Sequence, residues 1–124
     1  MINTLNFGKY IYSVLKNITD NKVFPLVADE GTKFPFIVYR RVNLTNLENK
    51  DGYVEDNVTM EITVVADKYT KSVEIINKVR EILEIQNTSF EDMDISDASI
   101  TMATEEYNNS AYIQKIQISF KINN

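Results

Sequence analysis

The chain contains no cysteine and no histidine. Without cysteine it has no disulfide, no thiolate metal ligand and no cysteine nucleophile, and it is indifferent to redox compartment, with the cytoplasm the default expectation. Without histidine the commonest general base and metal ligand are missing, and a serine triad of the usual kind cannot be built. Chemistry based on carboxylates alone stays open. Glycine occurs only at positions 8, 31 and 52, too sparse for a glycine-rich phosphate loop. Proline occurs only at positions 25 and 35, both inside the stretch KVFPLVADEGTKFPFIVYRRV of residues 22–42. No window approaches the roughly 18 apolar residues of a membrane-spanning helix. The first residues, MINTLNFGKYIYSVLKNI, lack the basic region, clean apolar core and cleavage site of a signal peptide.

What is present fits one soluble domain spanning 1–124, long enough to bury a core without metal or disulfide support. The apolar share of 44% and the charged share of 25% are ordinary. The formal charge of -5 is unevenly spread. Residues 1–83 hold eleven acids and eleven bases, whereas residues 84–124 hold seven acids and two bases. Bulk charge therefore supplies no basic face for a phosphate backbone. A field of one sign is either a solvated surface or a face that repels DNA or meets a basic partner.

Hydrophobic spacing gives the elements. Phe7, Tyr10, Ile11, Val14, Leu15 and Ile18 share one helical face, with Asn3, Thr4 or Asn6 as N-cap and an end near Thr19-Asp20-Asn21. Val23-Phe24 begins a short strand that Pro25 confines to an edge or strand end. Asp29-Glu30-Gly31-Thr32 reads as a turn, Gly31 supplying a positive φ, and residues 36–42 as the return strand of a hairpin. Residues 43–56 read as a long polar loop, with Asp51-Gly52 as a hairpin signal. Residues 57–67 alternate as a half-buried strand. The period then switches to a helix over about 70–85, capped by Asp67 or Thr70, with Glu74 and Lys78 in the favourable order. Residues 87–94 read as loop, 95–106 as a strand, Asn108-Asn109-Ser110 as a turn, and Tyr112 to Ile122 as a last alternating strand. The expected fold is α+β, in the order α-β-β-β-α-β-β. It is a mostly antiparallel five-stranded sheet with two helices on one face.

The residues that bear chemistry form no convincing catalytic set. Asp92, Asp94 and Ser96 match three places of a calcium loop, but Asp97 stands where glycine is needed and Ala103 where glutamate is needed. Glu105 and Glu106 are adjacent on a strand and point to opposite faces. Arg40 and Arg41, the only adjacent bases, also point to opposite faces, and one of them suits an acid at an interface or a surface salt bridge. The aromatics are spread as core residues are, with no basic-aromatic stripe for stacking bases. No metal, cofactor or catalytic residue is expected, and the chain does not read as an enzyme. Open strand edges and polar strand faces suit a protein that assembles with copies of itself or with others.

The stretch at 22–42 resembles the early region of the tail-completion, or tail-terminator, proteins of long-tailed bacteriophages. The shared features are an opening helix and an aromatic-proline strand end at Phe24-Pro25. A second proline then leads an apolar-aromatic strand, Phe34-Pro35-Phe36-Ile37-Val38-Tyr39. A long alternating strand, Val58 to Asp67, a helix from Thr70 to Glu84 and two closing strands follow. The resemblance implies a virion protein of the tail and neck, assembled in the cytoplasm of the host bacterium. It implies a ring, typically a hexamer, that caps the tail tube, ends its polymerisation and offers the surface for head-tail joining. The implied partners are copies of itself, the tail tube protein and head-tail connector proteins. DNA would pass through the lumen without specific binding, and no membrane is involved. On this basis the candidate subunit or tube interface is Arg40, Arg41, Asn46, Leu47, Asn49, Lys50, Asp51 and Tyr53. The candidate acidic lumen is Glu91, Asp92, Asp94, Asp97, Glu105 and Glu106.

Three other functions compete. Another connector or stopper ring lacks chemistry too, and gene neighbourhood would separate it. A small ligand-binding α+β module would show a concave apolar pocket with convergent polar groups. A carboxylate-metal hydrolase would show acids clustered in a cleft and lose activity on chelation.

Overall fold

The computed structural model describes residues 4–48 and 54–123. A 3-10 turn, Thr4–Asn6, leads into helix α1, Gly8–Leu15. Strands β1, Val23–Pro25, β2, Phe36–Glu48, and β3, Val54–Ala66, follow, then helix α2, Tyr69–Leu83. Strands β4, Thr88–Phe90, β5, Met93–Asn108, and β6, Ala111–Asn123, close the chain. The sheet is six-stranded in the order β1-β2-β3-β6-β5-β4. The class is α+β as expected, with one strand more and one parallel pair.

Alternation decides which face is covered. Val58, Met60, Ile62 and Val64 of β3 and Ile116, Ile118, Phe120 and Ile122 of β6 are buried, and all belong to one core cluster. They stand opposite one another in register, Val58 with Phe120 and Met60 with Ile118. Both helices lie on this face. Phe7, Tyr10, Ile11 and Leu15 from the first helix region meet Ile75, Ile76, Val79 and Leu83 of α2 in the same cluster. The Phe7 ring lies 4.8 Å from that of Phe120 and 5.2 Å from that of Tyr10. The other sheet face carries Asn57, Thr59, Glu61 and Thr63 beside Lys115, Gln117 and Ser119, half-buried by their neighbours except for Glu61, which is buried.

Several expectations are corrected. The stretch at 22–42 is not a hairpin: β1 pairs with β2 in parallel, Val23 beside Ile37 and Pro25 beside Tyr39. The ten-residue connection brings the chain back to the start of β1, so Val23 and Ile37 both point into the core. Its Gly31 does hold a positive φ of 80°. Residues 43–48 are strand rather than loop, paired with 54–59 as an extension of the β2–β3 hairpin. The expected turn at Asp51-Gly52 lies outside the described residues. Residues 88–90 are a short strand rather than loop, because the ring of Phe90 packs edge-on against Tyr10 at 5.6 Å. Among the described residues no expected helix cap forms, and the candidate Asn3 lies outside them. Phe7 and Lys68 occupy the N-cap positions without side-chain hydrogen bonds. The turn at Asn109-Ser110 is a two-residue hairpin connection with φ of 50° and 62°, matched to the strand twist.

Candidate functional site

The sheet does not close on itself, and its two edges are finished differently. On one side, β1 covers β2 only from Ile37 to Tyr39. The amide of Leu26 then donates to the Tyr39 carbonyl at 2.8 Å. From Arg41 to Glu48 no described strand pairs with the outer side of β2. On the other side, β4 covers β5 only from Met93 to Ile95. Register shifts interrupt β5 near Ser96 and Thr101. Gln86 donates to Asp97, and the Ile100 amide donates to the Glu84 carboxylate at 3.2 Å. Bulges and side-chain contacts of this kind blunt an edge. Beyond them, residues 103–108 pair with β6 alone and are exposed throughout.

At the β2 edge the two adjacent arginines have different tasks. Arg40 lies on the helix-free face and forms a forked pair with Glu61, at 2.9 Å and 3.4 Å. Gln117 donates to the same carboxylate at 3.1 Å. Burial pushes the Glu61 pKa up, but the bonds from Arg40 and Gln117 outweigh it, and the carboxyl sits below its ordinary value. Arg41 lies on the helix side and, among the described residues, donates only to the Leu5 carbonyl, at 3.2 Å. It borders a pocket of about 250 Å³ lined by Leu5, Gly8, Leu26, Tyr39 and Met60. Leu5 and Leu26 are largely exposed there, at 69% and 74%.

At the opposite edge, the tip of the β5–β6 hairpin carries a second pocket, of about 300 Å³. Tyr69, Tyr107 and Tyr112 line it with Glu105, Glu106 and Gln114. Tyr107 and Tyr112 face each other across the two strands with ring centroids 4.8 Å apart, and Tyr69 from the start of α2 meets Tyr112 edge-on at 6.0 Å. The Glu105 carboxylate accepts from the Gln114 amide at 2.9 Å and from the Tyr69 hydroxyl at 3.0 Å. Gln114 also donates to the buried Ser72 hydroxyl at 3.3 Å, so the carboxylate is anchored to α2 through two routes. These bonds, from Gln114 first and then Tyr69, hold the Glu105 pKa below the ordinary carboxylate range, while the bond to Glu105 raises that of Tyr69.

The sequence candidates fall into separate places. Arg40 and Arg41 point to opposite faces, as their spacing requires. Asn46 donates to the buried Asp56 carboxylate at 2.7 Å, and Leu47 is exposed. Asn49, Lys50, Asp51 and Tyr53 lie outside the described residues. The acidic candidates do not form one surface. Glu91 and Asp92 occupy the β4–β5 turn, and Asp94, Asp97 and Glu106 project from the helix-free face, where Asp97 stands opposite Lys121. Glu105 points to the helix side. Among the described residues no group of three or more acids is placed to hold a metal ion. The tyrosine pocket was missed in the sequence, although Tyr107 and Tyr112 flank the Asn108–Ser110 turn at the spacing of a cross-strand pair.

The family model of tail completion protein gp17 matches residues 12–122. No curated protein matches the chain. Among solved structures, a chain in the "Virion of native gene transfer agent (GTA) particle" has the same fold with a TM-score of 0.72 at 9% identity, over 90% of this chain and 86% of that one. The family match takes in the second half of α1, all of α2 and the six strands up to residue 122, and the chain therefore belongs to the tail completion protein gp17 family of phage-type tail proteins.

Proposed function

We propose that the protein closes into a ring, of six copies, on the finished end of the tail tube. There it stops further tube polymerisation and presents the surface to which the head connector docks. The observation that carries this is the pair of open edges on opposite sides of one sheet. A chain with two different open edges associates head to tail, and such a contact closes into a ring when its rotation permits. Membership of a tail completion family supports a site for that ring on the tail.

The helix-free face, with Asp94, Asp97 and Glu106, is the side we assign to the lumen. Its acids share the face with Lys115 and Lys121, so the surface is mixed and weakly acidic, which avoids tight phosphate contacts and lets DNA slide. The β2–β3 hairpin, running past the helix layer to Glu48 and Val54, is the element we assign to the neighbouring subunit or to the tube. Removing residues 46–53 should leave the core intact, yet give tails of irregular length or tails without heads. Tails of normal length joined to heads would overturn that assignment.

A further inference from the structure

We propose that the pocket formed by Tyr69, Tyr107 and Tyr112 takes the Arg41 side chain of a second copy of this chain. Neighbouring subunits would then join through opposite edges of their sheets. The inference rests on the ring described above, but it names the contact that builds it.

The pocket has the chemistry of a cation site. Aromatic faces attract a planar guanidinium through the ring quadrupole, and a carboxylate beside them adds charge and paired acceptors. Glu105 is held in place by Gln114 and Tyr69, so little freedom remains to be lost when a cation arrives. Among the described residues, no basic side chain lines this pocket.

The opposite edge has the complement. Among the described residues, no acidic side chain lines the pocket beside Arg41. Arg40 is committed to Glu61, whereas among the described residues Arg41 spends a single donor, on a backbone carbonyl, and leaves the rest of its fork unused. Leu5 and Leu26 beside it are exposed apolar surface that tyrosine rings would cover.

The topology makes the two sites unable to meet within one chain and able to meet between chains. Both open on the helix-covered side, one beyond β2 and the other beyond β5, at opposite ends of the order β2-β3-β6-β5. Strand direction alternates through that order, so β5 of a neighbour placed beside β2 continues the antiparallel pattern. Arg41 is level with Met60, Ile118 and Ile100 across the sheet, while Glu105 lies several residues further along β5. Because of the bulge at Thr101, Glu105 is level with Gln114, four residues from Ile118 along β6. The offset is about 13 Å at strand rise against about 19 Å for the width of four strands, so a ring closed by this contact has its strands inclined by about 35°, the tilt of strands in closed barrels.

The absence of native cysteine gives a clean test. Single variants Arg41→Cys and Tyr107→Cys replace exposed residues, with Asn108→Cys as a second probe should Tyr107→Cys misfold. They are mixed on tail tubes prepared from a phage lacking this protein and then oxidised. The contact predicts a disulfide-linked pair in the mixture, none with either variant alone, and a ladder ending at the closed ring when both changes share one chain. In parallel, Arg41→Glu and Glu105→Arg should each weaken assembly at least 10-fold, and mixing the two should restore it. Arg41→Lys should weaken it less. Caps on tubes without the mixed crosslink would overturn this contact and leave the ring standing. Crosslinked pairs or open chains without caps would support the contact and count against the ring. Arg41→Cys linking to itself would replace the head-to-tail contact with a two-fold one and overturn the proposal.

Discussion

Among the described residues Glu61 is the one acid buried in the helix-free face of the sheet, and its contribution to stability can be worked out. Its side chain is 10% exposed and that of Arg40 47%. Exposed pairs are worth about 0.2–1 kcal/mol, whereas removing one partner of a fully buried pair costs about 3–5 kcal/mol. With the acid covered and the arginine half in water, the forked geometry should place the Arg40–Glu61 coupling near 1 kcal/mol. Glu61→Gln should cost about 1–2 kcal/mol in all, since Gln117 loses a charged acceptor too. The measurement is a double-mutant cycle of Glu61→Gln and Arg40→Gln by urea unfolding at pH 7.

The same pair fixes a pH dependence. Burial raises the Glu61 pKa, and the bonds from Arg40 and Gln117 more than reverse that, so the folded value lies below the unfolded one. Its stabilisation is therefore complete above about pH 4.3, the ordinary glutamate value, and is lost as pH falls through the lower folded value. Stability curves of the wild type and Glu61→Gln, separate at pH 7, should converge as pH is lowered towards 3. A coupling under about 0.3 kcal/mol at pH 7, or a gap that does not change with pH, would refute the reasoning.

Three further outcomes are expected. Phe120→Ala empties a fully buried site against Phe7 and should cost about 3–5 kcal/mol by urea unfolding; a loss under about 1.5 kcal/mol would show that the core collapses around it. A β-carbon on Gly8 would stand 3.0 Å from Cε2 of Tyr39, so Gly8→Ala should lower stability by about 1 kcal/mol, and should become neutral or stabilising in a Tyr39→Ala background. Gly31 has φ of 80° with nothing within 4 Å of an added carbon, so Gly31→Ala should cost about 1 kcal/mol through backbone strain alone, and Gly31→Asn less, as thermal unfolding would read.

Where a layer covers one face, the sequence was legible. Residues 57–67 alternate because α2 lies over them, and the helix spacing of 7–18 and 70–85 matches the buried faces of α1 and α2. Glu74 and Lys78 meet at 3.4 Å, as their order suggested. Legibility fails where the strands outrun the helices. Beyond Leu44, which still packs against the core, residues 45–48 are exposed on both faces, as are 101–108, so nothing selects for alternation and the first of these looks like loop. The parallel pairing of β1 was hidden because turn residues such as Gly31 mark a change of direction without fixing which strand side the chain returns to. Strand β4 is three residues long, below what periodicity can register.

The candidate surfaces divide in the same way. That Arg40 and Arg41 face opposite sides follows from strand period, and so does the separation of Glu105 from Glu106. Which arginine is committed, and to what, depends on Glu61 in another strand. The tyrosine pocket needs α2 to bring Tyr69 over residues 107 and 112, a contact between parts of the chain 36 and more residues apart. The acidic candidates were grouped by nearness in sequence, and the hairpin at 90–93 and the bulges of β5 distribute them over two faces and a turn.

The most direct test of the central claim is electron microscopy of the purified protein mixed with tail tubes from a phage that lacks it. The account predicts a ring seated at one end of each tube, six-fold in end view, and tubes that no longer elongate when tube protein is added. Tubes that stay bare and keep growing, beside a protein that remains monomeric, would contradict it.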